Sequence, residues 1–290
     1  MSLQGKRVLI TGATSGIGQA AAYALAGQGA ELTLLCRSPD RAESVADAIE
    51  AEHGHRPELL VCDFESLASV RKAAEQYLDS GQPLHVLLNN AGVINTQRME
   101  TVEGYEQTFA VNHLAPFLLT GMLLPALQRE AGARIVNVAS DAHRFCKAIR
   151  FNDPQTLGTY RTFEVYGHSK LANILFTREL ARRLGYGDPL VNCLHPGAVA
   201  TGMGTNNPGL LGKILPPLLK PFFRTPEKGA ETAIYLCADP GLAGVSGRYF
   251  QDCRAVKPKP WAEDDDMAAA LWRLSEELVG FSYPEGGPTT

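Results

Sequence analysis

Much that would mark a specialised class is missing from this chain of 290 residues. Its six cysteines, at 36, 62, 146, 193, 237 and 253, include no Cys-x-x-Cys pair, which removes the common zinc and dithiol spacings. Several sit in apolar strand-like runs where cysteine behaves as a small hydrophobe, so they read as free thiols of a reducing, cytoplasmic compartment. An excess of one charge is missing too. The 27 basic and 31 acidic residues are interspersed with a net charge of −4, which gives no field to gather nucleic acid. No apolar run reads as long enough to span a membrane, and Met1-Ser2-Leu3-Gln4-Gly5-Lys6-Arg7 runs straight into a strand with no room for a signal sequence. There is no internal repeat, low-complexity tract or linker. His53-Gly54-His55 has no Cys or carboxylate cluster near it and reads as a polar turn, so no metal is expected. Glu263 to Asp266 read as helix N-terminal charges.

What is present is enough apolar material, 45% of residues, to bury one large α/β core. Short apolar runs alternate with amphipathic stretches, the pattern of crossover units that build a parallel sheet. Strands are predicted at Arg7 to Thr11, Glu31 to Cys36, Glu58 to Cys62, His85 to Asn89, Arg134 to Ala139, Leu190 to His195 and Arg248 to Phe250. Helices are predicted at Gly16 to Gln28, Pro39 to Glu52, Leu67 to Leu78, Glu103 to Arg129, Glu164 to Leu184 and Glu227 to Ala238. Together they make one domain over 1–290, a doubly wound seven-stranded parallel sheet with helices on both faces. Two irregular stretches, 142–163 and 202–226, break the alternation and read as substrate loops. The end, 262–290, reads as a helix and a Pro/Gly-rich tail.

The most informative motif is Tyr166-Gly167-His168-Ser169-Lys170, with a phenol and an ammonium one turn apart on a predicted helix. Alone, such a pair is usually two surface side chains. Here it occurs once and follows, in order, Thr11-Gly12-Ala13-Thr14-Ser15-Gly16-Ile17-Gly18, Asn89-Asn90-Ala91-Gly92 and Ser140. Gly12, Gly16 and Gly18 follow a strand and open a helix, where glycine permits a tight turn and close backbone approach to a pyrophosphate at the helix N-terminus. An ordinary βα turn would explain the glycines alone but not the residues downstream.

With Asn112 and Pro196-Gly197 these landmarks resemble the short-chain dehydrogenase/reductase family across roughly residues 5 to 250. Within it the chain is most similar to the retinol dehydrogenase-like branch, through Cys36-Arg37-Ser38, Val111-Asn112-His113-Leu114, His168-Ser169-Lys170-Leu171-Ala172-Asn173 and His195-Pro196-Gly197. It departs from animal members of that branch in lacking an N-terminal anchor. The resemblance implies a single-domain Rossmann fold and a catalytic tetrad of Asn112, Ser140, Tyr166 and Lys170. A free tyrosine, with pKa about 10, is a poor base at neutral pH. The Lys170 ammonium would favour the phenolate, Ser140 would stabilise alkoxide charge, and Asn112 would support a proton-relay water ending at Lys170.

The resemblance also implies a cofactor site of Gly12, Thr14, Ser15, Gly16, Ile17, Gly18, Asp63, Phe64, Asn89, Ala91, Gly92, Tyr166, Lys170, Pro196, Gly197, Val199 and Thr201. In it Asp63 would meet the adenine, Lys170 the nicotinamide ribose and Thr201 the carboxamide. The predicted second strand ends in Arg37 with no carboxylate before Asp40, which favours NADP(H), Arg37 holding the 2′-phosphate. A hydride transfer between NADP(H) and a small hydrophobic alcohol or carbonyl compound explains every motif. Retinoid, steroid, long-chain aldehyde and xenobiotic ketone all fit. A catalytically silent NADP-binding regulatory protein would have no reason to keep Ser140, Tyr166 and Lys170 together, and a nucleotide-sugar enzyme would need a larger C-terminal domain. The apolar faces of the fourth and fifth predicted helices point to a homodimer or homotetramer.

Overall fold

Strand β1 (Arg7–Thr11) is buried from its second residue onward and lies at the centre of the sheet, between β2 (Glu31–Cys36) and β4 (Val86–Asn89). The structure, a computed structural model, describes residues 3–151, 153, 158–199 and 224–284. With β3 (Glu58–Val61), β5 (Arg134–Val138), β6 (Leu190–Leu194), β7 (Tyr249–Gln251) and β8 (Arg254–Val256), the strands run β3-β2-β1-β4-β5-β6-β7-β8. All pairs are parallel except β7 with β8. The near-continuous apolar runs of β4 and β6 follow from burial on both faces.

The seven predicted strands form the doubly wound parallel sheet, and a short eighth strand adds to its edge antiparallel to β7. Asp252 and Cys253 form its hairpin turn, both at positive φ, 49° and 59°. Such two-residue turns usually announce themselves by glycine or asparagine, and β8 is exposed throughout with no alternation to read. Several bounds also shift by a residue or two, as frayed ends do.

Helices α1 (Gly16–Ala26), α2 (Pro39–His53) and α6 (Pro226–Ala238) cover one face of the sheet. Helices α3 (Leu67–Asp79), α4 (Gln107–Gln128), α5 (Thr162–Arg183) and α7 (Asp265–Val279) cover the other. Helix α4 starts at 107, not 103, because the Glu106 carboxylate caps the Thr108 and Phe109 amides while Glu103 reaches across to cap the Leu67 amide of α3. By length and composition α4 could cross a membrane, contrary to the reading of the sequence, but 89% of its apolar window is buried inside the protein.

Helix α7 is where the acidic run was expected to open a helix: Asp264 caps the Met267 amide, and Gly280 closes the other end in the left-handed conformation. Its Trp272 packs on Phe117 of α4 and Phe176 of α5, with ring centres 5.1 and 6.0 Å apart. The Tyr283 hydroxyl donates to the Phe117 carbonyl at 2.6 Å. The apolar faces of α4 and α5 from which the sequence points to self-assembly are thus covered from within the chain. Thr201 and 202–223, most of the second predicted substrate loop, lie outside the described residues.

Candidate active site

The order β3-β2-β1-β4 reverses the winding between β1 and β4, the switch point beyond whose carboxyl strand ends doubly wound sheets form their ligand crevice. The glycine turn fills it closely. Gly12 has φ +68°, and a Cβ there would sit 2.9 Å from the Ala91 Cα. A Cβ on Gly18 would come within 2.3 Å of the Gly12 carbonyl oxygen and of Asn90 Nδ2. Thr11 ties the two loops together, its hydroxyl accepting from the Asn90 and Ala91 amides at 3.0 Å each. The first turn of α1 has no side-chain cap, so its N-terminal amides remain for an anion. These features fit a dinucleotide pyrophosphate.

Arg37 stands at the end of β2 as expected, but its guanidinium is paired with Glu65 at 2.6 Å. Nothing in the spacing along the chain marks Glu65 as the partner of Arg37. Asp63 follows β3 and accepts from the Glu65 amide at 3.0 Å, with Phe64 buried beside it. The Asn89 side chain is not in the crevice. It is buried and donates to Thr120 and Asn137, bracing α4 and β5.

The four proposed catalytic residues converge from three elements. Ser140 lies two residues past β5 and caps the short 3₁₀ turn Asp141–Phe145, its hydroxyl accepting from the Ala142 amide at 3.1 Å and hydrogen-bonded to Tyr166. Tyr166 and Lys170 lie on α5, the Lys170 ammonium 5.6 Å from the tyrosine ring centre. Lys170 is 2% exposed and donates to the Val138 carbonyl at 2.9 Å. Burial pushes the Tyr166 phenol up to about 12, opposed by the Ser140 bond, and pulls Lys170 down to about 8. The ammonium lies over the ring, and burial dominates the direction of the phenol's shift.

Asn112 is fully buried in a π turn over Ala110–Leu114. Its Oδ1 accepts from the Val93 amide at 2.7 Å, and its Nδ2 donates to the Val93 carbonyl at 2.9 Å and to Ser169 Oγ at 3.0 Å. A Cβ on Gly92 would lie 3.2 Å from Asn112 Oδ1 and 3.5 Å from Lys170 Nζ, so that glycine keeps the space between them open. Four residues on, Pro116 has no N–H to give the Asn112 carbonyl, a signal readable in the sequence but missed. A π turn and a proline together interrupt the regular α-helical ladder at the end of α4 that carries Asn112.

Pro196, Gly197 and Val199 follow β6 on the facing side of the crevice. Gly197 has φ +82° and a Cβ there would strike the Arg224 guanidinium, which is paired with Asp252. His195 is buried and accepts from the Gly197 amide through Nδ1 at 3.0 Å. Among the described residues no His, Cys, Asp or Glu cluster could hold a metal.

The short chain dehydrogenase family model matches residues 6–208. The chain is 43% identical to retinol dehydrogenase 14 of Homo sapiens, over 96% of this chain and 87% of that one. It is 40% identical to retinol dehydrogenase 12 of Mus musculus, over 98% and 89% respectively. Among solved structures, an uncharacterized protein from Mycobacterium paratuberculosis superposes with a TM-score of 0.78 at 31% identity, over 98% of this chain and 96% of the other.

Proposed function

The chain belongs to the short-chain dehydrogenase family, and on that premise we propose that it is an NADP(H)-dependent oxidoreductase acting on a hydrophobic alcohol/carbonyl pair. The observation that carries the reading is the buried Lys170 beneath Tyr166 and Ser140. A lysine 2% exposed is costly to bury, and a silent cofactor-binding protein gains nothing from that cost.

When bound, the nicotinamide would supply or accept the hydride. Gly12 and the amides of Thr14, Ser15, Gly16, Ile17 and Gly18 would hold the pyrophosphate, Arg37 the 2′-phosphate, and Lys170 a ribose hydroxyl. Ser140 would hydrogen-bond the substrate oxygen and stabilise charge growing there. Tyr166 would donate its proton to that oxygen in reduction, for which a raised phenol pKa keeps the proton in place at neutral pH. Lys170, through Asn112 and water in the space beside Gly92, would restore it. In oxidation the phenol must first give the proton up, so that direction is favoured by alkaline conditions.

Hydrophobic substrates are favoured by Phe145 and Phe151, exposed by 58% and 41% on the loop that meets Gly167 of α5, and by Phe163, exposed by 66% in the first turn of that helix. The names of the relatives favour retinoids among the hydrophobic candidates. Six free cysteines accord with a reducing cytoplasm. Any homodimer or homotetramer would use surfaces other than the covered α4–α5 face. The test is a panel of aldehydes and ketones, retinal among them, followed by loss of NADPH absorbance with NADH in parallel. Turnover of hydrophobic carbonyls with NADPH supports the reading; no oxidation of either cofactor across the panel overturns it.

A further inference from the structure

His143 is 2% exposed, three residues after Ser140, and belongs to none of the groups assigned above. Its imidazole is held at both nitrogens. Nε2 lies 3.2 Å from the Lys259 backbone amide, which can only donate. Nδ1 lies 2.8 Å from the Ser140 carbonyl, which can only accept. One tautomer satisfies both: Nε2 bare, Nδ1 carrying the hydrogen. The Ser140 carbonyl also accepts from the His143 amide at 3.2 Å, while the His143 carbonyl accepts from Trp261 Nε1 at 3.2 Å. The ring meets Tyr249 of β7 edge-on, with centres 5.5 Å apart.

Resting on the proposed function, we propose that His143 is a positioning residue that fastens the catalytic Ser140 to the C-terminal segment at Lys259–Trp261. The catalytic serine stands two residues past β5 and caps a single 3₁₀ turn, and without a longer-range brace its carbonyl and hydroxyl could turn together with that turn. The brace comes from residues 116 positions away, on the segment that carries α7. The location of the C-terminal segment is thereby transmitted to the reacting hydroxyl. A second proton on the ring would put two N–H groups face to face at Lys259 and break that bond. Burial, with Arg144 and His195 nearby, resists this proton, while Asp141 favours it. Tyr249 and the Lys259 backbone complete the surroundings.

Three variants separate the two bonds. His143→Phe keeps the ring and loses both, His143→Asn keeps a donor near Nδ1, and His143→Gln keeps an acceptor near Nε2. Each is assayed for kcat, KM, NADPH affinity and melting temperature, and amide hydrogen exchange is read at Lys259. The expected result for His143→Phe is a roughly 10- to 100-fold fall in kcat, the scale of a misplaced catalytic group, with KM and NADPH affinity close to the parent's. Exchange at Lys259 should speed up in the Phe and Asn variants and stay slow in the Gln variant. Parent-like kcat in all three, or losses that track the unfolded fraction, would overturn the proposal. If the parent itself turns over nothing, the proposed function fails, and the exchange pattern alone then decides whether the brace exists.

Discussion

Arg37 and Glu65 form an ion pair of 2.6 Å at the edge of the crevice, where the last residue of β2 is followed by the cation expected to read the cofactor's 2′-position. The carboxylate repels a phosphate and occupies the guanidinium that would bind it. The arginine must exchange partners.

Glu65→Gln is therefore expected to tighten NADPH by about two- to five-fold, the scale of an exposed ion pair, with little change for NADH. Arg37→Asp should weaken NADPH by roughly 10- to 100-fold, as the loss of charge-assisted bonds does. Dissociation constants from fluorescence titration of both reduced cofactors check this. Equal affinities in the parent would remove the NADP(H) assignment.

Tyr166→Phe removes the transferable proton while sparing the ring, and kcat should fall by roughly 10²- to 10⁴-fold with cofactor binding intact. Tyr160→Phe is the comparison. Its hydroxyl donates to the Asn95 carbonyl at 3.2 Å and touches no proposed catalytic group, so it should cost some stability and little turnover. Steady-state rates for the two variants decide the matter, and the reverse ranking would refute the motif reading.

Lys170→Met should separate stability from function. Burial lowers Lys170 from 10.5 to about 8, so the folded state bears the cost of a buried ammonium below pH 8. Between about 8 and 10.5 the unfolded chain binds more protons, and parent stability rises with pH. The variant should be more stable than the parent at pH 7, on the order of 2 kcal/mol, with the advantage fading toward pH 10. Urea melts at the two pH values measure it; turnover should be lost at both.

Trp272→Ala should destabilise the protein by about 3–5 kcal/mol, the range for emptying a large buried aromatic site. Trp272 packs on Phe117, Phe176 and Tyr283, and the Arg183 guanidinium lies 4.3 Å over its ring. A midpoint shift in urea unfolding reports the loss. A change below about 1 kcal/mol would mean that α7 is not an integral part of the core.

The sequence by itself determined the doubly wound sheet and the glycine turn and pointed to the four residues proposed as a tetrad, because these rest on local chemistry. Apolar runs of strand length between amphipathic stretches, glycines at a βα turn, and Tyr166 four residues before Lys170 are all visible along one dimension. Even the acidic start of α7 was legible, since capping is a matter of adjacent residues. Only the tertiary structure decided what depends on partners distant in the chain. Arg37 reads as a free phosphate clamp until Glu65 is brought beside it from another strand end. Helix α4 reads as an open face until α7 covers it, and nothing in the motif tells that the Lys170 ammonium is buried against the Val138 carbonyl. His143 has no signature at all, because its two bonds join Ser140 to Lys259, and spacing along the chain carries no information about which distant backbone amide will meet an imidazole.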